Sequence, residues 1–412
     1  MKEIKYDLVL IGATGFTGKL VAEYLTKEYG TNNEKFVWAI AGRNNNKLNN
    51  LKKRLSEIDS EAKNLPILIA DSYDRKSLDN ITSVSRVIIS TVGPYLTYGK
   101  LLVESCAGNG TDYCDLTGEV PFIRESIDLF ESLAKSNNCR IVHSCGFDSI
   151  PSDIGVLKLQ KEAIQKFGRP CDEIRLYARS MKGGFSGGTI ESMINISSYI
   201  NSRPELSGLL GDPYALNPDG QLSSGPDGSS LRSVKWDKTM KFWICPFIMS
   251  GINTRVVRRS NALMGFLYGD SFKYSEVYSF NRGFFGFINS LSMVIGLACL
   301  KLAISFRPSL WFLRTFFLPA PGDGPTKENR ESGHFKVVLV GSVDDNKISC
   351  IVTGDQDPGY AATARMLSES ALSMLLNRNS IPDIAGVLTP ASGIGDIIVS
   401  RLRDKGVTFK IE

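Results

Sequence analysis

The sequence predicts an α/β fold, a doubly wound parallel sheet followed by a second α+β domain. Three observations carry this reading. Six short apolar runs alternate with amphipathic stretches over residues 1–150, the first run empties into the glycine-rich loop GATGFTG (12–18), and past residue 150 the runs give way to alternating segments. Near-continuous apolar strands separated by helices are characteristic of a parallel sheet covered on both faces. With a glycine loop after the first strand, the arrangement is of the Rossmann type.

The elements follow in chain order. Strands are expected at 6–11, 36–41, 66–70, 85–91, 111–115 and 140–145, with helices at 16–28, 46–57, 98–109 and 120–137. In the first loop, Gly12 permits the tight turn, Gly15 lets backbone approach a pyrophosphate, and Gly18 packs the helix onto the sheet. Ala13, Thr14, Phe16 and Thr17 complete this cofactor-binding set, and the following helix aims its partly positive N-terminus at the phosphates. Beyond residue 150, strands are expected at 172–181, 252–259, 272–281, 335–343 and 347–354, with helices at 189–200, 361–378 and 393–404. The domains read as 1–150 and 151–390, with helix 393–404 packing back on the first. The stretch 201–235, rich in Gly, Pro and Ser, reads as a long loop of the lid or binding type.

Composition narrows the function. At 412 residues the chain is long enough for two domains. Its net charge of +5 is scattered, which points away from nucleic acid and leaves attraction to an anionic membrane open. Eight cysteines without a CxxC pair, and only two histidines, make the usual zinc sites and any metal centre unexpected. The cysteines read as buried thiols of a cytoplasmic protein, and no secretory signal is expected.

The second strand ends in Ala41-Gly42-Arg43, and no Asp or Glu lies between Phe36 and Leu55. An acid there would grip the ribose hydroxyl of NAD, whereas Arg43 suits the 2′-phosphate of NADP. NADP is therefore the expected cofactor, with NAD as the alternative; a solvent-facing Arg at a strand end is the structural alternative. Asp71, after the third strand, is placed either at the adenine or in a simple loop. Thr91, Val92, Gly93 and Pro94, after the fourth strand, fall in the ligand crevice.

None of the 14 tyrosines has a Lys four residues on, so the Y-x-x-x-K pair of short-chain dehydrogenases is absent. Proton-donor candidates are Tyr95 and Tyr98 after the fourth strand, Asp148 after the sixth, and Tyr360 ahead of a helix. Helix capping is the competing role for Asp148, with Ser149 and Asp153. His143 reads as a core histidine and Lys100 as a surface lysine. The glycine-rich stretch 183–189 is either a second backbone-donor nest or a hinge.

Residues 283–300 carry no charge over 18 positions, at the threshold for a membrane helix, and an apolar run continues to Leu318. Trp311, Phe312, Phe316 and Phe317 lie at interfacial spacing. A single crossing would divide the second sheet across a bilayer, so segment 283–318 is expected to dock from one side, its basic residues snorkelling. A buried core helix or a homodimer contact is the alternative.

GATGFTG, AGR (41–43), TVGPY (91–95), YCDLTGE (113–119), CGFDSIPSD (145–153), GGTIES (187–192), DPGY (357–360) and GVLTPASGIGD (386–396) together resemble the saccharopine dehydrogenase-like oxidoreductases. This family is similar to the bacterial trans-acting enoyl reductases of glycolipid synthesis. The resemblance implies an NAD(P)-dependent oxidoreductase with a saccharopine reductase-like second domain. It also implies a role in lipid metabolism and, in eukaryotic members, lipid droplets. The leading expectation is an NADP(H)-dependent reductase acting on an activated double bond or carbonyl of a lipid-like small molecule, at the cytoplasmic side of a membrane or lipid droplet. One rival is a saccharopine-type amino-acid dehydrogenase, for which Arg175, Arg179 and Lys182 would have to meet substrate carboxylates. The other is a non-catalytic lipid-surface protein that binds NADP.

Overall fold

Among the described residues, fourteen strands form two sheets. In chain order the first six are β1 (Tyr6–Ile11), β2 (Trp38–Gly42), β3 (Ile67–Ile69), β4 (Ser85–Ser90), β5 (Asp112–Asp115) and β6 (Arg140–Val142). They are followed by β7 (Glu173–Lys182), β8 (Lys235–Asp237), β9 (Phe242–Pro246), β10 (Lys273–Phe280), β11 (His334–Val343) and β12 (Asn346–Gly354). The chain closes with β13 (Gly386–Leu388) and β14 (Val407–Ile411). This computed structural model describes residues 3–183, 187–203, 207–219, 226–227, 230–305, 308–309 and 324–412.

The chain divides into two units, Met1–Ile150 with Gly359–Lys405, and Pro151–Pro358 with Gly406–Glu412. Residues 359–390, expected with the second domain, thus belong to the first. The first unit holds a parallel sheet of seven strands, ordered β13-β6-β5-β4-β1-β2-β3. The expected six strands are present, and β13 adds a seventh beside β6. Three residues, Gly386-Val387-Leu388, are too short a run to announce a strand, but all three are buried. The glycine-loop helix is Phe16–Tyr29, and four of its five buried residues (Gly18, Val21, Ala22 and Leu25) recur at helical spacing. Helix Ala361–Leu376 packs against it through a buried ion cluster. Glu369 is fully buried and accepts hydrogen bonds from the Tyr24 and Tyr29 hydroxyls (2.7 Å each) and from Arg401 Nε (2.8 Å).

The second unit carries a mixed sheet ordered β14-β12-β11-β7-β10-β9-β8, in which β7 and β10 run parallel and the remaining pairs antiparallel. The expected strand 252–259 is instead part of a helix, Ser250–Leu263. Its sequence INTRVVRR alternates, yet Arg255, Arg258 and Arg259 are all buried. Backbone carbonyls explain that burial. Arg255 donates to Leu210 and Asp212, Arg258 to Pro213, and Arg259 to Leu216 (2.5–3.0 Å). Arg258 also pairs with Asp227 at 2.7 Å. The described part of the expected 201–235 loop is therefore a strap held down by three guanidiniums, with a helical turn at Ser207–Gly211. Of the cysteines, seven are buried, but Cys299 is exposed.

Beneath the strap, Glu276 on β10 is buried and accepts from Tyr274 Oη (2.7 Å) and Asn253 Nδ2 (3.0 Å). Burial pushes its carboxyl up to about 7. The folded state thus keeps a proton that the unfolded chain releases above its ordinary carboxyl range. Stability from this group is lost as pH rises from about 4.5 to about 7, then stays level. Glu276→Gln keeps an acceptor and removes the charge. In urea titrations it should be more stable than the parent at pH 8 by up to about 3 kcal/mol, and no more stable at pH 4.

Candidate functional site

Because the first sheet is wholly parallel, the segments leaving β1 to β6 emerge along one edge. At the β1 exit, Gly12 has φ +86°, and a Cβ there would stand 2.8 Å from both Thr91 Oγ1 and Val92 Cγ2. A Cβ on Gly18 would stand 2.1 Å from the Gly12 carbonyl oxygen. Gly12 thus lets the β4 exit close on the loop, and Gly18 lets the helix close on the turn. Thr91 Oγ1 stitches the two segments together by donating to the Ile11 and Gly12 carbonyls (3.2 and 3.1 Å). Ala13 is buried, and its N–H reaches the Ala41 carbonyl (3.3 Å). Thr14, Gly15, Phe16 and Thr17 are half-buried. No side chain caps the helix at Gly15 and no acid stands in its first turn, which leaves a positive terminus.

Arg43, at the β2 exit, is exposed and makes no ion pair among the described residues. Asp71, at the β3 exit, accepts the Tyr73 N–H (2.9 Å) and so shapes its own turn. Tyr73 is largely exposed, stands within electrostatic reach of Arg43 and meets the Tyr98 ring edge-on at 5.5 Å. Tyr98, expected as a proton donor, is thereby drawn toward the β3 exit. Val92 and Pro94 are half-buried, Gly93 is exposed, and the Gly93–Pro94 peptide is cis.

Tyr95 is a second correction. It is buried, and its hydroxyl donates to the Ser90 carbonyl at 3.0 Å. Burial and the nearby Asp115 hold its phenol far above the ordinary range, and its proton is engaged by the Ser90 carbonyl. Its N–H and that of Leu96 bind the buried Glu119 carboxylate (3.0 and 2.8 Å). Lys100 lies on the surface, paired with Glu125 at 2.7 Å.

YCDLTGE shapes the centre of the edge. Asp115 is fully buried; its Oδ2 accepts from Tyr113 Oη (2.9 Å) and faces His143 Nδ1 (2.8 Å). Its Oδ1 accepts the N–H groups of Thr117 (3.0 Å) and Ser144 (3.2 Å). Those bonds, with Ser144 Oγ donating to the Thr117 carbonyl (2.6 Å), hold Ser144 at φ +62°, an uncommon conformation for a residue with a side chain. The chain turns sharply there and delivers Asp148. His143 is buried between the rings of Tyr113 and Phe122, and its Nε2 has no partner among the described residues. Sequence reading placed no function on Asp115 or Glu119; the available signal was an acid at a strand's C-terminal end followed by a Thr-Gly-Glu turn.

Asp148 keeps part of its surface open to solvent, and burial of the rest raises its carboxyl to about 7, with Asp115 adding to the rise. The adjacent Phe147 N–H is held by Thr363 Oγ1 (3.0 Å). Tyr360 is buried, its ring edge-on to Phe16 at 4.6 Å, which makes it a wall of the glycine loop. Residues 184–186 of the second glycine-rich stretch lie outside the described residues, as do Trp311, Phe312, Phe316 and Phe317.

These features fit a phosphorylated dinucleotide: a loop without side-chain bulk, an uncapped helix start and an unpaired guanidinium. Residues 8–142 match the saccharopine dehydrogenase NADP-binding domain. A Mycobacterium tuberculosis protein named as a trans-acting enoyl reductase is 38% identical over 98% of this chain and 97% of its own. The trans-acting enoyl reductase of Mycobacterium ulcerans is 36% identical, with 98% and 97% covered. Saccharopine dehydrogenase (L-Glu forming) from Saccharomyces cerevisiae shares the fold, with a TM-score of 0.54, 14% identity and 99% of both chains covered. The glycine loop, the unpaired Arg43 and these full-length likenesses together place the chain in the saccharopine dehydrogenase-like family of trans-acting enoyl reductases, as an NADP-dependent oxidoreductase.

Proposed function

We propose that the protein reduces an activated C=C bond of a lipid-type substrate, on the cytoplasmic side of a membrane or lipid droplet. The observation that carries this reading is Asp148, a carboxyl raised to about 7 on the edge that bears the glycine loop. Reduction of a conjugated double bond needs one hydride and one proton; NADPH supplies the hydride when bound. Gly12 to Gly18 would hold its pyrophosphate and Arg43 its 2′-phosphate. Asp148 holds a proton on its carboxyl near neutral pH and is suited to deliver it to the carbanionic carbon or enolate. Tyr360, packed edge-on against Phe16, walls that end of the loop.

The amino-acid dehydrogenase reading has less support. Arg175 is neutralised by Asp237 (3.0 Å) and Glu173 (3.3 Å), so it is not open to a substrate carboxylate. NADPH oxidation should be followed with enoyl-thioester lipids and, separately, with 2-oxo acids plus lysine or glutamate. Consumption with the enoyl lipids alone is expected; consumption with the oxo acids alone would overturn the proposal. In the same assay Arg43→Ala should raise the KM for NADPH about 30-fold, the worth of roughly 2 kcal/mol of charge-assisted hydrogen bonding, and leave that for NADH unchanged.

A further inference from the structure

Helix Phe284–Ser305 in the second unit is long and apolar enough to cross a membrane, yet almost none of it is buried. Phe284, Ile288, Leu291, Ile295 and Leu302 recur at spacings that fall on one face, and all are exposed, Phe284 by 71% and Leu302 by 73%. Phe285 stands beside them at 81%. Among the described residues, the helix meets protein along the side that carries Phe287, whose ring stands 5.0 Å from Trp243, and the buried Ser290. A single crossing is ruled out by topology. The chain leaves the sheet at β10 and returns at β11, and both flank β7, so the two ends of the excursion lie on one side.

Next to the helix start lie two cations without carboxylate partners. Arg179 Cζ stands 3.8 Å from the centroid of the Phe242 ring, and Arg282 Cζ stands 5.9 Å from it. Neither guanidinium forms an ion pair among the described residues; Arg179 has only a long hydrogen bond to Ser279 Oγ (3.4 Å). The sequence has no acid between Glu276 and Asp323.

We propose that this face docks on an anionic phospholipid bilayer. The Phe284–Leu302 stripe enters the acyl region of one leaflet, and Arg179 and Arg282 receive a lipid phosphate at the headgroup level. Charge complementarity selects this occupant. A second copy meeting it through this same face would bring the same arginines, and no acid from residues 277–322 to meet them. A helix apolar all round, with cations at its start, matches the boundary between acyl chains and phosphates. The proposal rests on the lipid-surface part of the function above, not on the reaction.

Co-sedimentation of the full chain, without cofactor or substrate, tests it apart from catalysis. Vesicles of phosphatidylcholine alone are compared with vesicles that also contain phosphatidylglycerol. The parent protein should bind the anionic vesicles at least about tenfold more tightly. Arg179→Gln with Arg282→Gln should erase that preference, and Phe284→Ser with Phe285→Ser should weaken binding to both. Failure to bind either vesicle, or binding indifferent to lipid charge, overturns the proposal. So does a Phe284/Phe285 effect confined to oligomeric mass by light scattering, which would identify a second copy as the occupant. Arg282→Gln alone, at an exposed position, keeps the test decisive if the double variant misfolds.

Discussion

Asp148→Asn is expected to lower NADPH-dependent turnover of an accepted enoyl substrate by about 10²–10⁴-fold, the usual span for loss of a positioned general acid. The substitution keeps size and polarity, so NADPH affinity should stay within about twofold by isothermal titration. The sign of the pH dependence follows from the raised carboxyl. Below about 7 the group is protonated and can act as donor; above it, activity through this step declines. The parent should therefore show an alkaline limb near pH 7 in kcat/KM, and the Asn variant should lack it. An unchanged limb would assign the proton to another group.

Glu369→Ala is expected to destabilise the first unit by about 3–5 kcal/mol, measured by urea unfolding of the full chain. The carboxylate is fully buried, and its loss strands the Arg401 guanidinium, whose side chain is only 16% exposed, with two tyrosine hydroxyls. Burying an unpaired cation costs far more than a hydrogen bond yields. Glu369→Gln, which keeps both tyrosine bonds, should cost about 1–3 kcal/mol. Double replacement with Arg401→Met should recover much of the loss, because no stranded charge remains.

The first six strands were legible because burial on both faces makes their sequences continuously apolar, as in Leu8-Val9-Leu10-Ile11. The glycine loop was legible because backbone crowding dictates its residues. Helix Ser250–Leu263 was not, since the carbonyls that let three arginines be buried come from residues about 40 positions away. The acid–base assignments divided for the same reason. Tyr95 and Asp148 both stand just past a strand's end, and only the three-dimensional surroundings show that one hydroxyl is spent on the Ser90 carbonyl. Asp115 and Glu119 escaped notice because their work is to hold other segments in place.

The seventh strand, β13, has a consequence for biosynthesis. The ribosome delivers residues 1–150 first, but that stretch lacks the strand that covers β6 and the glutamate that binds Tyr24 and Tyr29. The first unit can close only after residue 405 has left the exit tunnel, with residues 151–358 of the second unit already outside. Until then its β6 edge stays bare, a surface for chaperones or for proteolysis. A chain interrupted anywhere upstream of β13 leaves the nucleotide-binding unit without its seventh strand.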